Sequence, residues 1–201
     1  MTSLWRLSTT TTGDFDRARL AAEGRQALLE LGQRVQYAAI AQPVAIIELL
    51  AGDPSAAEGV LREAHDILSV AGERGYLSTV SALLALALAK QESYAEADAF
   101  ADEARQIGAE DDLTTQIYWR VPKAQVAAER GEPDEASRLA SEMLELVVSS
   151  EGLDLPILTV EVARFLAPDA AKQALKRALA GALAKGNVVT AAQARAQLEA
   201  L

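Results

Sequence analysis

The side chains of this chain that are best suited to catalysis are four pairs of carboxylates. Two neighbouring carboxylates can act as general acid and general base when their surroundings separate their pKa values. Each pair lies at a turn or at the start of a helical segment, where carboxylates cap backbone N–H groups and complement the helix dipole. The pairs are Asp14/Asp16, Glu96/Asp98, Asp111/Asp112 and Glu132/Asp134. We therefore assign the pairs a capping role rather than a catalytic one.

The remaining chemistry is sparse. The chain has no cysteine, so thiolate metal sites, thiol nucleophiles and disulfides are excluded, and His65, the only histidine, supplies too few ligands for a metal site. We expect His65 at the surface or at the edge of the core. No glycine-rich loop of the types that cradle phosphates occurs. The sequence predicts no catalytic residue, no cofactor and no metal, and therefore a protein that is not an enzyme.

Composition narrows the range of partners. The formal net charge is −10, and an acidic surface repels phosphate backbones, so we expect no nucleic-acid partner. The longest apolar stretch, Ala82 to Ala89, has eight residues, whereas a membrane-spanning helix needs about 20. The N-terminus has no apolar run typical of a signal peptide. We expect a cytoplasmic protein with no membrane partner.

Small and apolar residues recur along the chain in sets spaced by four and then three residues, each set five residues after a turn. The sets are Ala57, Leu61, Ala64; Ala97, Ala101, Ala104; Ala136, Ala140, Met143; and Ala171, Leu175, Ala178. The turn positions are Gly52, Glu92, Gly131 and Leu166, which are 35 to 40 residues apart. A period of this size is typical of stacked helical hairpins. Twelve residues before each set a further small residue recurs, at Ala45, Ala85, Ala124 and Thr159, where the two helices of a hairpin should cross.

Apolar periodicity and capping signals predict about ten helices and no strand. The predicted segments are approximately 15–31, 33–51, 54–71, 77–91, 94–107, 110–130, 134–149, 154–167, 168–185 and 188–201. Residues 1–12 are predicted to be a disordered or frayed tail, and residues 13–201 a single repeat domain with a capping helix at 188–201. Pro43 and Pro122 fall inside predicted helices and should kink them.

The pattern resembles the tetratricopeptide repeat in a lengthened and degenerate version. The stretches that carry the likeness are Ala51–Glu58, Gly72–Thr79, Gln116–Arg120, Ala128–Glu132 and Lys185–Val189. In this order they look like the C-terminal repeats of large bacterial regulators that combine a nucleotide cyclase domain, a P-loop ATPase and such repeats. The resemblance implies a regulatory portion of a multidomain signalling protein.

The fold predicted from these observations is all-α: a right-handed α-solenoid of antiparallel helix hairpins. In such a stack the first helix of each hairpin lines the concave side. The residues that we place in this groove are Gln42, Ile46, Thr79, Ala82, Leu86, Tyr118, Val121 and Gln125. The groove is apolar and lightly charged, which favours a non-catalytic protein–protein interaction scaffold.

Alternatives to the scaffold remain open at this point. The partner of a scaffold is a protein or peptide, including other domains of the same protein. A sensor that binds a small molecule or a signalling peptide in the groove would use polar groups there, and Gln42, Gln125 and Arg164 are the candidates. A helical bundle that only forms a homodimer, through an uncovered N-terminal helix, is a further alternative.

Overall fold

The computed structural model describes residues 13–16, 18–19, 24–147 and 155–201, and every regular element in these ranges is a helix. The α-helices are α1 Gln26–Glu30, α2 Arg34–Ala39, α3 Ala41–Ala51, α4 Pro54–Ala71, α5 Arg74–Lys90, α6 Tyr94–Ile107, α7 Leu113–Tyr118, α8 Arg120–Glu129, α9 Pro133–Val147, α10 Leu155–Val162, α11 Pro168–Ala184 and α12 Val188–Ala200, with a 3₁₀ turn at Ala163–Phe165. The predicted tail, 1–12, and the predicted helix ends at 149 and 154 lie outside the described residues.

Proline divides two of the predicted helices. Pro43 and Pro122 each lack a backbone donor, and each ring crowds the carbonyl four residues earlier. The helix is interrupted three residues before each proline, at Ile40 and at Trp119. The backbone bonds accepted by the carbonyl oxygens of Ile40 and Trp119 are long, 3.5 and 3.4 Å. When α2–α3 and α7–α8 are each taken as one kinked helix, the structure has about ten helices, so the predicted all-α class and helix number are confirmed.

Side-chain caps start several helices. The side chains of Asp53, Asp112 and Asn187 each accept a hydrogen bond from the backbone N–H three residues on, at 2.9, 3.2 and 3.0 Å. The Glu73 carboxylate accepts hydrogen bonds from the backbone N–H groups of Gly75 and Tyr76, at 3.2 and 2.7 Å. Because of this cap α5 begins at Arg74, about three residues before the predicted start.

The ends of the helices require left-handed backbone. Gly52, Gly72, Gly131 and Gly186 follow helices with φ of 81°, 68°, 76° and 70°. Glu92 follows α5 in the same conformation, with a φ of 62°, and no other non-glycine residue among those described has a positive φ. Glu92 therefore takes, with a side chain, the conformation that glycine takes at the matching turn positions Gly52 and Gly131, whereas Leu166 in the fourth copy has a φ of −93°.

The recurring small residues form the core between helices. All twelve members of the four sets are buried, none more than 4% exposed. The matching residues Ala45, Ala85 and Ala124 are 0% exposed and Thr159 is 5% exposed. Small side chains on both helices allow the close approach that the spacing predicts.

Helices pack in chain order. The contacts join α3 with α4, α4 with α5, α5 with α6, α8 with α9, α10 with α11 and α11 with α12. Alternate helices also meet, in the series α3–α5, α5–α8, α8–α10 and α10–α12. A Cβ atom added to Gly13 would lie 3.8 Å from Val189 of α12, so the start and the end of the described chain come close together.

Candidate functional site

Three of the predicted groove residues line one cavity. Ile46 on α3, Leu86 on α5 and Tyr118 on α7 come together around a space of about 200 Å³. We call this space the apolar cavity, and its full lining is Ile46, Leu49, Leu50, Gly52, Leu83, Leu86, Lys90, Tyr118, Ile157, Leu158, Glu161 and Gln193. The lining comes from α3, α5, α7, α10 and α12, together with Gly52 at the end of α3.

The other predicted groove residues lie elsewhere. Thr79, Ala82 and Val121 are buried between helices, and the Thr79 hydroxyl hydrogen-bonds that of Thr115 at 3.0 Å. Gln42 is half-buried on α3 and does not line the apolar cavity. Gln125 belongs to a second cavity beside the first.

This second space, the polar cavity, has a volume of about 280 Å³. It is lined by Ala89, Lys90, Glu92, Tyr94, Gln125, Glu161 and Arg164. Gln125 and Arg164, the polar candidates of the sensor alternative, are thus brought to the same place by α8 and by the 3₁₀ turn. Gln42 does not join them.

An ion pair forms the wall that both cavities share. Lys90 Nζ lies 2.6 Å from Glu161 Oε1, and the two side chains are 26% and 20% exposed. Both residues line both cavities. The pair separates an apolar compartment from a charged one and neutralises one cation and one anion of the lining.

One polar atom of the lining has no partner. Gln125 is 5% exposed, and its Oε1 atom is buried without a hydrogen-bond donor. A buried acceptor without a donor costs about 1–3 kcal/mol. Gln125 lines the polar cavity, but its Oε1 atom is shielded from solvent and so does not face the open space.

Charged groups surround Tyr94 at the same cavity. Burial raises the pKa of the Tyr94 phenol, and the negative charges of Glu129 and Glu92 raise it further, while Arg164 opposes the increase. The Arg164 guanidinium lies 4.7 Å from the ring centroid of Phe165. The polar cavity thus has groups of both signs along its wall.

Two of the residues weighed for chemistry, His65 and Asp98, pair with side chains of other helices, and Asp98 forms ion pairs where a capping role was predicted. His65 is half-buried at the edge of the core, where Nε2 lies 2.9 Å from Glu103 Oε2 and the ring meets Phe100 edge-on. Asp98 binds Lys123 at 2.5 Å and Arg130 at 2.7 Å. Among the residues that the structure describes, no group of three potential ligands could hold a metal ion.

Among the polar residues that line the apolar cavity, sequence reasoning missed Lys90, Glu161 and Gln193. One signal could have found Lys90, because it lies four residues after Leu86 and so continues the same face of α5. Glu161 bears the same relation to Ile157 on α10. No spacing rule could have paired Lys90 with Glu161, which are 71 residues apart in the chain.

No protein-family model matches the chain, and no curated protein matches it significantly. In the described part of the chain, no helix combines the length and the apolar character that crossing a membrane would require.

Proposed function

We propose that this chain is a non-catalytic protein–protein interaction module, built as a right-handed curved stack of antiparallel helix hairpins. One observation carries the proposal: the lining of the apolar cavity comes from α3, α5, α7, α10 and α12, and none of it from α4, α6, α9 or α11. This division is expected when alternate helices form the inner wall of a curved stack. The burial of the recurring small residues supports the same architecture.

The size of the apolar cavity limits what it accepts. A helix with its side chains is about 10–12 Å in diameter, and the cavity of about 200 Å³ is too small for one. The space suits one apolar side chain projecting from an extended protein segment. Such a segment comes from another protein or from another domain of the same protein.

A selection from a random peptide library displayed on phage tests this function. Peptides selected on the wild-type chain should contain an apolar anchor and should lose binding to Ile46→Gln, which places an amide in the apolar cavity. The matched control is Ile67→Gln, because Ile67 is also half-buried but lines neither cavity. Peptides that bind both variants equally, or the absence of any enriched peptide, would contradict the proposal.

A second candidate function is a sensor of small molecules. The convergence of Gln125 and Arg164 on the polar cavity favours it, because a specific small-molecule site combines apolar walls with a few convergent polar groups. Here the bound molecule, rather than a protein segment, would stabilise one curvature of the stack and pass the signal on.

The resemblance to bacterial multidomain regulators supports a regulatory role for either candidate function. It also supports a location in the cytoplasm of a bacterium. The sequence encoded immediately upstream tests this point. A cyclase or ATPase domain that reads into residue 13 supports it, and an unrelated upstream sequence contradicts it.

A further inference from the structure

A third cavity lies between α9, α10 and α11. Its volume of about 350 Å³ exceeds that of the apolar cavity and that of the polar cavity. We call it the C-terminal cavity, and its lining is Leu144, Val147, Leu155, Pro156, Thr159, Ala174, Arg177, Ala178, Gly181 and Lys185. It shares no residue with the other two cavities, so it is independent of the proposed interaction site.

Most of the wall of the C-terminal cavity is apolar. The only hydroxyl of the lining, that of Thr159, donates a hydrogen bond to the Leu155 carbonyl oxygen at 2.9 Å. A Cβ atom added to Gly181 would lie 3.5 Å from Cγ of Pro156, so α10 and α11 come close there with no side chain from α11 between them. Such a wall stabilises an apolar group by removing it from water.

The charged side chains of the lining are both cationic. Arg177 and Lys185 are exposed, and no carboxylate belongs to the lining among the residues that the structure describes. Lys185 has an interaction of its own, whereas Arg177 has no ion pair within the described ranges. Residues 167–201 carry five Lys or Arg and two Asp or Glu side chains, in a chain whose net charge is −10. This local excess of positive charge favours an anion.

We propose that the C-terminal cavity binds an aliphatic carboxylate of medium chain length. The carboxylate lies beside the Arg177 guanidinium, whose planar fork matches a carboxylate. The hydrocarbon chain lies against the apolar wall. The lining follows α11 from Ala174 to Gly181, which corresponds to about 10 Å along the helix axis. An elongated, unbranched chain fits this shape better than a compact molecule.

Calorimetric titration of the purified chain with sodium octanoate tests the proposal. The affinity should rise roughly fourfold for each methylene added between butanoate and octanoate, because each one removes further apolar surface from water. Octylammonium has a chain of the same length and the opposite charge, and it should bind at least about tenfold more weakly than octanoate. Equal affinity for octanoate and octylammonium would overturn the proposal.

Variants locate the site. Gly181→Leu places a side chain in the cavity and should weaken octanoate binding tenfold or more, and leucine favours a helix more than glycine does, so this variant should fold. Its matched control is Gly59→Leu, at an exposed helical glycine with no atom within 4 Å of an added Cβ. Binding to Gly181→Leu that equals binding to Gly59→Leu would overturn the site.

The cationic contact is tested separately. Arg177→Gln should weaken octanoate binding roughly three- to fivefold, because the pair is exposed to water, and should leave the binding of neutral 1-octanol unchanged. The matched control is Arg195→Gln, at an exposed position that lines none of the three cavities. Because Arg177 is exposed, its variant should fold even if Gly181→Leu does not. Unchanged octanoate affinity in Arg177→Gln would overturn the assignment of the carboxylate.

The remaining outcomes identify other occupants of the C-terminal cavity. Absence of octanoate binding, together with a Gly181→Leu chain that is less stable than wild type, would show that the chain itself fills this space and would overturn the proposal. Phage-selected peptides that lose binding to Arg177→Gln, while octanoate does not bind, would indicate an acidic protein segment instead. Neither outcome affects the proposed interaction module, which is tested at Ile46.

Discussion

Replacing Glu92 by glycine should stabilise the protein. Glu92 ends α5 with a φ of 62°, in the conformation that glycine adopts at the ends of α3, α4, α8 and α11. Left-handed backbone destabilises a residue with a Cβ atom by about 1–2 kcal/mol, and glycine removes this cost. Glycine also has more conformational freedom in the unfolded chain, which offsets roughly 0.5–1 kcal/mol of the stabilisation. The net gain expected for Glu92→Gly is therefore about 0.5–1 kcal/mol in the free energy of unfolding.

Urea denaturation followed by circular dichroism measures this gain. For a chain of this length, 1 kcal/mol corresponds to roughly 2–4 °C in the melting temperature, so thermal melting provides a second reading. Glu92→Ala is the matched control, because it removes the charge and keeps the Cβ atom, and it should give no comparable gain. The reciprocal change Gly131→Ala, at a φ of 76°, should cost about 1 kcal/mol. A Glu92→Gly variant no more stable than Glu92→Ala would refute the reasoning from backbone conformation.

Three further predictions concern stability, each measured by urea denaturation. Ala85→Leu should cost about 1–3 kcal/mol, because Ala85 is fully buried where helices cross, and an unchanged midpoint would show that the crossing has room. Burial raises the pKa of Asp98, but hydrogen bonds from Lys123 and Arg130 outweigh burial and hold the pKa below its usual range. Asp98→Asn should therefore lower the free energy of unfolding by about 1–2 kcal/mol at pH 7. The difference in stability between the variant and the wild type should shrink as the pH falls below about 4, because the wild-type carboxylate then also loses its charge. A stability difference that does not depend on pH would exclude the ion pairs as its cause. Asp112→Ala should cost about 1 kcal/mol through the lost cap of α7, and full retention of stability would contradict a capping role.

Local patterns in the sequence predicted most elements of this fold, although the predicted helix 15–31 is broken by a turn at residues 24–25. Helix periodicity, caps such as Asp53 and Asp112, and glycine after helix ends depend on residues within a few positions of one another, so they can be read along the chain. The small residues of the four sets were predicted to be buried, and they are. Pro43 and Pro122 were predicted to kink their helices, and both helices are interrupted three residues earlier.

The candidate site was predicted only in part. Ile46, Leu86 and Tyr118 were expected in the groove and line the apolar cavity. Thr79, Ala82 and Val121 lie on similar stretches of helix but line neither cavity, because the rotation of each helix about its own axis decides which face meets a neighbour. A spacing rule gives the residues that share a face and does not give the direction in which that face points.

The sequence by itself determined the helices, their ends and the small residues that let them pack closely, because these properties arise from neighbours along the chain. Only the tertiary structure decided that Lys90 would meet Glu161 and that Gln125 would share a cavity with Arg164. These meetings depend on the curvature of the whole stack, which accumulates from small angles at every helix crossing. The sequence of a single segment therefore does not determine this curvature.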